Sequence, residues 1–150
     1  MEQNVKFRLL ENIGKVYEQS IYSKLDAALF KDVDAELKQL SDYFKVTPTQ
    51  SPFIAMVLSL NMKGEIVDMK ELIGYFDCNP MKLLEFSDDF DTLYSKGIFK
   101  KRKSSHRVNL ALSNDQFTIN EKITEAILNN KFMPVIEREG FKDVIELLEK

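Results

Sequence analysis

The segment from Ser51 to Met62 constrains the fold most strongly, because its apolar residues cover nearly every face of a helix. A helix that is apolar all round has to be buried all round, so the remaining elements are expected to pack against this one. Ser51-Pro52 is typical of a helix start, since a serine can cap free N–H groups and a proline lacks one. Gly64 is typical of a helix end. The apolar residues of this helix are Phe53, Ile54, Met56, Val57, Leu58, Leu60 and Met62.

Two further helices are predicted from their start signals, after a short strand at Glu65-Ile66-Val67. Asp68 and Glu71 have the spacing of a capping box, and Asn79-Pro80 again combines a cap with a proline. Gly97 closes the second of these helices at a position that favours a left-handed residue. This part of the chain is therefore predicted to run strand, helix, helix.

A β-hairpin is predicted next. Its first strand begins at Ile98-Phe99 and its polar tip spans residues 103–106. The alternation of Val108, Leu110 and Leu112 predicts a half-buried return strand. The order helix, short strand, helix, helix, hairpin over residues 51–112 resembles that of winged-helix domains.

Two amphipathic helices are predicted before this module. Apolar residues recur at three- and four-residue steps over residues 5–21, with a weak point at Gly14, and again over residues 25–44. The two segments are expected to pair as a helical hairpin. Residues 47–50, which include Pro48, interrupt the pattern and connect it to the buried helix. The second apolar stripe consists of Leu25, Leu29, Val33, Leu37, Leu40 and Phe44.

The C-terminal part predicts two more helices. The first carries apolar residues from Ile119 to Ile127, and its start lies between Asn114 and Asn120, with Ser113 and Gln116 as a possible capping box. A breaker at residues 132–135 separates it from a second helix with a stripe that runs almost to Lys150. No stop signal follows, which suggests the front segment of a longer protein. The stripe consists of Phe141, Val144, Ile145, Leu147 and Leu148.

These elements predict a mainly α fold with a small β-hairpin, in which a winged helix is flanked by an N-terminal helical hairpin and C-terminal helices. Only five glycines and four prolines punctuate the chain, which favours helices over an all-β fold. The predicted divisions are a helical hairpin over residues 1–47, a winged-helix domain with its following helix over 48–130, and a C-terminal helix over 131–150. The last helix could lead into a further domain.

The sharpest charge feature lies at the predicted hairpin and is called the basic hairpin here. It has five fixed positive charges within eight residues of a chain whose net charge is −3, and such a patch can rest on a phosphate backbone. The alternative interpretation is an exposed hairpin solvated by its cations, which also discourages edge-to-edge strand pairing. The predicted nucleic-acid-binding residues are Lys100, Lys101, Arg102, Lys103, His106 and Arg107.

The helix before the hairpin argues against base-specific recognition. In helix-turn-helix proteins this helix enters the major groove, and here its carboxylates would be repelled by the phosphates. It can instead be a docking surface for a basic partner or simply a solvated helix exterior. Its acidic residues are Glu85, Asp88, Asp89 and Asp91, against the cations Lys82 and Lys96.

Catalysis is not predicted. The single histidine, His106, lies among lysines and arginines with no nearby carboxylate to orient it, and Cys78 fits a small buried residue better than a reactive thiol. No metal site, cofactor or glycine-rich phosphate-binding loop is predicted. One cysteine, the absence of a signal-peptide core and the absence of a long apolar run favour a cytoplasmic protein without a membrane span.

Three stretches resemble a segment ahead of the ATPase module in certain bacterial AAA-type ATPases: EIVDMKEL at 65–72, FDCNP at 76–80 and DTLYSKGIF at 91–99. The resemblance implies that a nucleotide-binding module lies beyond Lys150 and that this part serves recognition or assembly. No catalytic residue of such an ATPase corresponds to a position of this chain.

The sequence thus predicts a non-catalytic winged-helix binding module that contacts DNA phosphates with low sequence specificity, and the resemblance implies that it is the N-terminal domain of a larger AAA-type ATPase. One alternative is a protein-interaction or oligomerisation module, which would dock other subunits through the stripe of residues 25–44 or that of residues 141–148. Another alternative is a small winged-helix transcription regulator.

Overall fold

The computed structural model describes residues 3–101 and 116–136. Within these ranges the chain is mainly helical, with one two-stranded antiparallel sheet, so the predicted mainly α fold with a small β-hairpin is confirmed at this level. The elements in chain order are α1 (Gln3–Ser20), α2 (Ala27–Asp32), α3 (Asp34–Phe44), a 3-10 helix (Pro48–Gln50), α4 (Ser51–Met62), α5 (Met69–Phe76), α6 (Pro80–Leu84), α7 (Ser87–Ser95), β1 (Phe99–Lys101), β2 (Phe117–Ile119) and α8 (Glu121–Leu128).

Helix α4 lies at the centre of the core, as its composition predicts. Every residue from Ser51 to Leu58 is buried, and so is Leu60. Met62 is the exception, since 63% of its surface is exposed where the helix ends at a groove. Three phenylalanine rings surround that of Phe53, with centroids 4.5–5.7 Å away. The hydrophobic core is therefore built around this helix.

The start of α4 differs from the prediction. Ser51 has helical backbone angles and is not the cap; its Oγ donates to the carbonyl oxygen of Thr47 at 3.3 Å. Thr47 caps the preceding 3-10 helix through a capping box with Gln50. Because the 3-10 helix continues directly into α4, the cap stands four residues earlier than the sequence indicates.

The first predicted helix is confirmed as α1, which runs through Gly14 without a break. It packs beside α3, and Lys15 Nζ lies 2.8 Å from Glu36 Oε1 between them. The second predicted helix is divided at Val33, whose φ of −115° and ψ of 25° are not helical. All six stripe residues, Leu25, Leu29, Val33, Leu37, Leu40 and Phe44, are buried within this chain. The stripe is therefore not an outward docking face.

The helix predicted between Pro80 and Gly97 is also divided. Helices α6 and α7 meet at Glu85 and Phe86, and Phe86 has a φ of −102° and a ψ of 16°. This break is accompanied by packing of the Phe86 ring, whose centroid lies 5.3 Å from that of Phe53. Aromatic packing against α4 thus accompanies the interruption of the regular helix.

The predicted caps of α5 and α6 are confirmed. A carboxylate oxygen of Asp68 accepts from the backbone N–H of Glu71 at 2.8 Å, and Asn79 Oδ1 accepts from that of Met81 at 2.8 Å. Gly64 and Gly97 both have positive φ, at 84° and 78°, as their positions after helices predict.

Helix α8 begins after Asn120, the later of the two predicted starts, and Asn120 Oδ1 accepts from the N–H of Lys122 at 3.0 Å. The Ser113/Gln116 pattern does not begin this helix, because Phe117–Ile119 is a strand. Residues 131–136 contain no helix or strand, as the breaker predicts. The stripe of residues 141–148 lies outside the described residues. Among those described, no helix combines the length and apolarity that crossing a membrane requires.

Candidate nucleic-acid interface

The base of the basic hairpin, residues 98–101 and 117–120, is called the hairpin base here. It follows the turn at Gly97 that comes after α7. The N–H of Gly97 donates to the carbonyl oxygen of Tyr94 at 3.0 Å. The N–H of Ile98 donates to the carbonyl oxygen of Leu93 at 3.0 Å. A Cβ atom at Gly97 would lie only 2.5 Å from Cγ2 of Ile136, so both the positive φ and the close contact require glycine at this turn.

The strand that pairs with β1 in the described residues is Phe117–Ile119, which the sequence analysis did not predict. Phe99 lies opposite Ile119, Lys100 opposite Thr118 and Lys101 opposite Phe117. Sequence alternation indicated Val108, Leu110 and Leu112, which lie outside the described residues; it missed Phe117–Ile119 because a three-residue strand shows too little alternation to separate from a helix start.

A third segment joins this sheet through a single bridge. The N–H of Phe117 donates to the carbonyl oxygen of Val67 at 2.8 Å. The predicted strand at residues 65–67 is thus reduced to one paired residue. Strand β2 lies between this segment and β1.

The side-chain amide of Asn61 bonds to both the segment at residues 65–67 and strand β2, beside their single bridge. Its Nδ2 donates to the carbonyl oxygen of Glu65 at 2.8 Å, and its Oδ1 accepts from the N–H of Ile119 at 2.9 Å. One side chain on α4 therefore ties the segment after that helix to β2. Sequence reasoning missed this role, although a lone amide near the end of an apolar helix was a signal.

Asn120 makes a second set of polar contacts at the hairpin base. Its N–H donates to the carbonyl oxygen of Ile98 at 2.9 Å, and its Nδ2 donates to that of Gly97 at 3.1 Å. Since Asn120 also caps α8, it links the start of that helix to the beginning of the hairpin. Asn61 and Asn120 together tie the hairpin base to α4 and to the start of α8.

Of the predicted binding residues, Lys100 and Lys101 fall within the described residues. Lys100 is exposed, and its Nζ lies 3.2 Å from Glu121 Oε1. The pKa of Glu121 is lowered, first by a hydrogen bond from its own backbone N–H and then by Lys100. The Nζ of Lys101 lies 4.7 Å from the centroid of the Tyr94 ring, a distance typical of a cation–π contact. Arg102, Lys103, His106 and Arg107 lie outside the described residues.

The acidic helix keeps its predicted charge but is only partly solvated. Asp88 is exposed, whereas Asp89 and Asp91 are half-buried. Asp89 Oδ1 accepts from Gln50 Nε2 at 3.2 Å, which ties α7 to the 3-10 helix. At least one of these carboxylates, that of Asp89, therefore makes a hydrogen bond within the fold.

Packing accounts for Cys78, whereas His106 lies outside the described residues. Cys78 is buried, and its burial raises the pKa of its thiol, which is the opposite of what a reactive cysteine needs. Across residues 3–101 and 116–136, no three His, Cys, Asp or Glu side chains are grouped to hold a metal ion.

The chain matches no protein-family model, no curated protein and no solved structure. Its candidate interface therefore stands on the geometry of its own residues.

Proposed function

We propose that this chain is a non-catalytic binding module of the winged-helix type whose basic hairpin contacts nucleic-acid phosphates with low sequence specificity. The strand register carries the proposal. It sets Lys100 and Lys101 on a strand that leads directly into Arg102 and Lys103. The first two of four cations that are consecutive in the sequence thus have a fixed register against β2.

The order of elements supports the winged-helix type. The chain order is that of such domains. It runs from helix α4 through the bridged segment at Val67 and helices α5 to α7 to strands β1 and β2. The segment at Val67 and strand β1 lie on opposite sides of β2, which is the strand arrangement expected of a winged helix.

The ion pair of Lys100 does not remove it from the proposed interface. The Lys100 and Glu121 side chains are 57% and 64% exposed, and an exposed pair of this kind contributes about 0–1 kcal/mol. A phosphate oxygen can replace the carboxylate at little cost. Each phosphate that a lysine or arginine neutralises also releases counterions, which favours binding.

Sequence-specific recognition is not part of the proposal. Exposed Asp88 and half-buried Asp89 and Asp91 on α7 would face phosphates if that helix entered the major groove. Binding is therefore assigned to backbone contacts at the hairpin, which carry no direct sequence information.

The resemblance described above extends this proposal to the protein as a whole. We propose that the module precedes the ATPase part of an AAA-type protein and delivers nucleic acid, or an assembly contact, to it. The nucleotide-binding loop would then be encoded outside residues 1–150, which contain no glycine-rich Lys-Ser/Thr motif. Continuation of the open reading frame into such a loop tests this extension directly.

The phosphate contacts are tested by charge removal with a matched control. The test variant replaces the five cations Lys100, Lys101, Arg102, Lys103 and Arg107 by alanine. The control variant replaces five exposed lysines elsewhere, Lys15, Lys31, Lys38, Lys70 and Lys131, and so has the same net charge. Duplex affinity is measured by fluorescence anisotropy at low salt with one sequence and its scrambled counterpart.

We expect the test variant to lose nearly all affinity and the control to lose only the small part that depends on net charge. Equal losses in the two variants, or unchanged binding in the first, would overturn the proposal. A strong preference for one sequence over its scrambled counterpart would instead favour a transcription regulator, because specific sites are typically bound about 10³-fold or more tighter than non-specific DNA.

A further inference from the structure

A groove runs along the side of the molecule where α4 and α8 end, and it is called the α4–α8 groove here. It is lined by the end of α4, the turn at residues 64–66, strand β2 and α8, and has a volume of about 490 Å³. Its accessible surface is mainly apolar. Met62 and Leu128 contribute side chains that are 63% and 54% exposed.

A group of exposed apolar side chains lies at residues 128–135, and α1 carries a second group at residues 5–10. Phe132 and Val135 are 73% and 93% exposed, whereas Met133 and Ile136 on the same segment pack against the core. Leu128, Phe132 and Val135 are thus three large exposed apolar residues within eight positions. Exposed apolar patches of this kind mark surfaces that are covered by something else.

The next residues of the same chain carry a matching apolar stripe. Residues 141–150 have the spacing of an amphipathic helix, about 15 Å long at 1.5 Å per residue. At this spacing the apolar side chains share one helix face, and such a face needs a surface to pack against. They are Phe141, Val144, Ile145, Leu147 and Leu148.

The end of the described chain lies within reach of the groove. Ile136 is positioned at Gly97, whose carbonyl oxygen accepts from Asn120, and Glu121, the next residue, lines the groove. The five residues from 137 to 141 span up to about 17 Å when extended. A tether this short gives the stripe an effective concentration in the millimolar range at the groove, so the chain's own segment has an advantage over any separate partner.

We propose that the apolar stripe of residues 141–148 packs into the α4–α8 groove of the same chain. The contact covers Met62 and Leu128 and draws the preceding segment, with Phe132 and Val135, against the body. It does not rest on the proposed nucleic-acid contacts, because neither Lys100 nor Lys101, the two hairpin cations within the described residues, lines the groove.

Two methionines provide a built-in comparison for the test. Met62 lines the groove, whereas Met81 begins α6 and does not, and their exposed fractions of 63% and 65% are nearly equal. The full chain is labelled with ¹³C at the methionine methyl groups. Relaxation of each methyl signal by a soluble nitroxide then reports whether solvent reaches that side chain.

In the unmodified chain we expect the Met62 methyl group to be relaxed several-fold less than that of Met81, at all protein concentrations. The stripe variant Phe141→Ser/Leu148→Ser should raise relaxation of Met62 to the level of Met81. The control variant Asp143→Ser/Lys150→Ser replaces two charged side chains on the opposite face of the predicted helix without changing the net charge. It should leave Met62 protected.

Equal relaxation of Met62 and Met81 in the unmodified chain would overturn the proposal. Protection of Met62 that appears only as the protein concentration rises would overturn it too, because the stripe or another surface of a second copy would then cover the groove.

Discussion

The helical body, residues 3–95, and the hairpin base are stabilised by different kinds of contact. Around α4 the body is held by apolar packing in which Phe53 contacts rings from α5, α7 and the turn at Phe86. The hairpin base also buries Phe99 and Phe117 in the core, but it is held in addition by hydrogen bonds from two amides, Asn61 and Asn120. Changes in the body should therefore alter stability, whereas changes at the hairpin base should alter the direction and accessibility of the cations.

A row of aromatic rings connects the two regions. From Phe53 it passes to Phe90 at 4.5 Å, to Phe99 at 6.1 Å and to Phe117 at 5.1 Å. Both strands of the sheet therefore contribute a ring to the core, and the hairpin base is anchored through its inward side. Its outward side is left to Lys100, which is opposite Thr118.

The largest effect is expected in the body. Phe53→Ala should lower the free energy of unfolding by about 3–5 kcal/mol, because it leaves a cavity among three rings. Urea denaturation measures the loss, and Phe53→Leu serves as a milder control. A loss below about 1 kcal/mol would mean that α4 is not the centre of the core.

A smaller loss is expected where the body meets the hairpin base. Gly97→Ala places a side chain at a φ of 78° and against Ile136, and should cost about 1–3 kcal/mol for the left-handed backbone alone. Gly74→Ala is the matched control. Gly74 lies inside α5 with no atom within 4 Å of an added Cβ, so that variant should be more stable by about 0.5–1 kcal/mol. Equal effects of the two changes would contradict the described turn at Gly97.

Asn61→Ala tests the hairpin base itself. It removes two hydrogen bonds, which at about 0.5–1.5 kcal/mol each predicts a loss of about 1–3 kcal/mol. Hydrogen exchange should show faster exchange of the Ile119 N–H, whereas amides within α4 stay protected. Duplex affinity should fall as well, because β2 is released from α4. Unchanged exchange at Ile119 would show that Asn61 does not hold the strand.

The smallest effect is expected for the surface ion pair. Glu121→Gln should change stability by less than about 1 kcal/mol and should raise duplex affinity, because Lys100 no longer has a competing carboxylate. The pKa of Glu121 is lowered in the folded chain, first by its own backbone N–H and then by Lys100, so the ionised carboxylate stabilises the protein above the ordinary pKa of a glutamate. That contribution is lost as the pH falls through the lowered value. The difference in affinity between this variant and the unmodified chain should disappear over the same range, and a difference that persists at lower pH would contradict the assignment.

Local signals in the sequence predicted helix starts and ends well, because each depends on one or two residues. Asp68 and Asn79 cap the helices that follow them, and Gly64 and Gly97 adopt positive φ. Breaks at Val33 and Phe86 were missed, since apolar spacing records which side chains face the core and continues across a change in backbone direction.

The candidate site was less predictable than the fold. Positive charge identified Lys100 and Lys101, but strand pairing depends on contacts that are distant in sequence, so the strand at residues 117–119 was missed. The contacts of Asn61 with residues 65 and 119 are likewise set by the tertiary structure. An amide in an apolar helix indicates that some polar partner exists and does not identify which one.

The salt dependence of duplex binding by the unmodified chain tests the central claim most directly. If the five fixed cations of the basic hairpin each neutralise one phosphate, the logarithm of the association constant should fall against the logarithm of salt concentration with a slope of about −4.5. The slope should be the same for unrelated duplex sequences. A flat salt response would contradict the claim that this hairpin binds nucleic-acid phosphates.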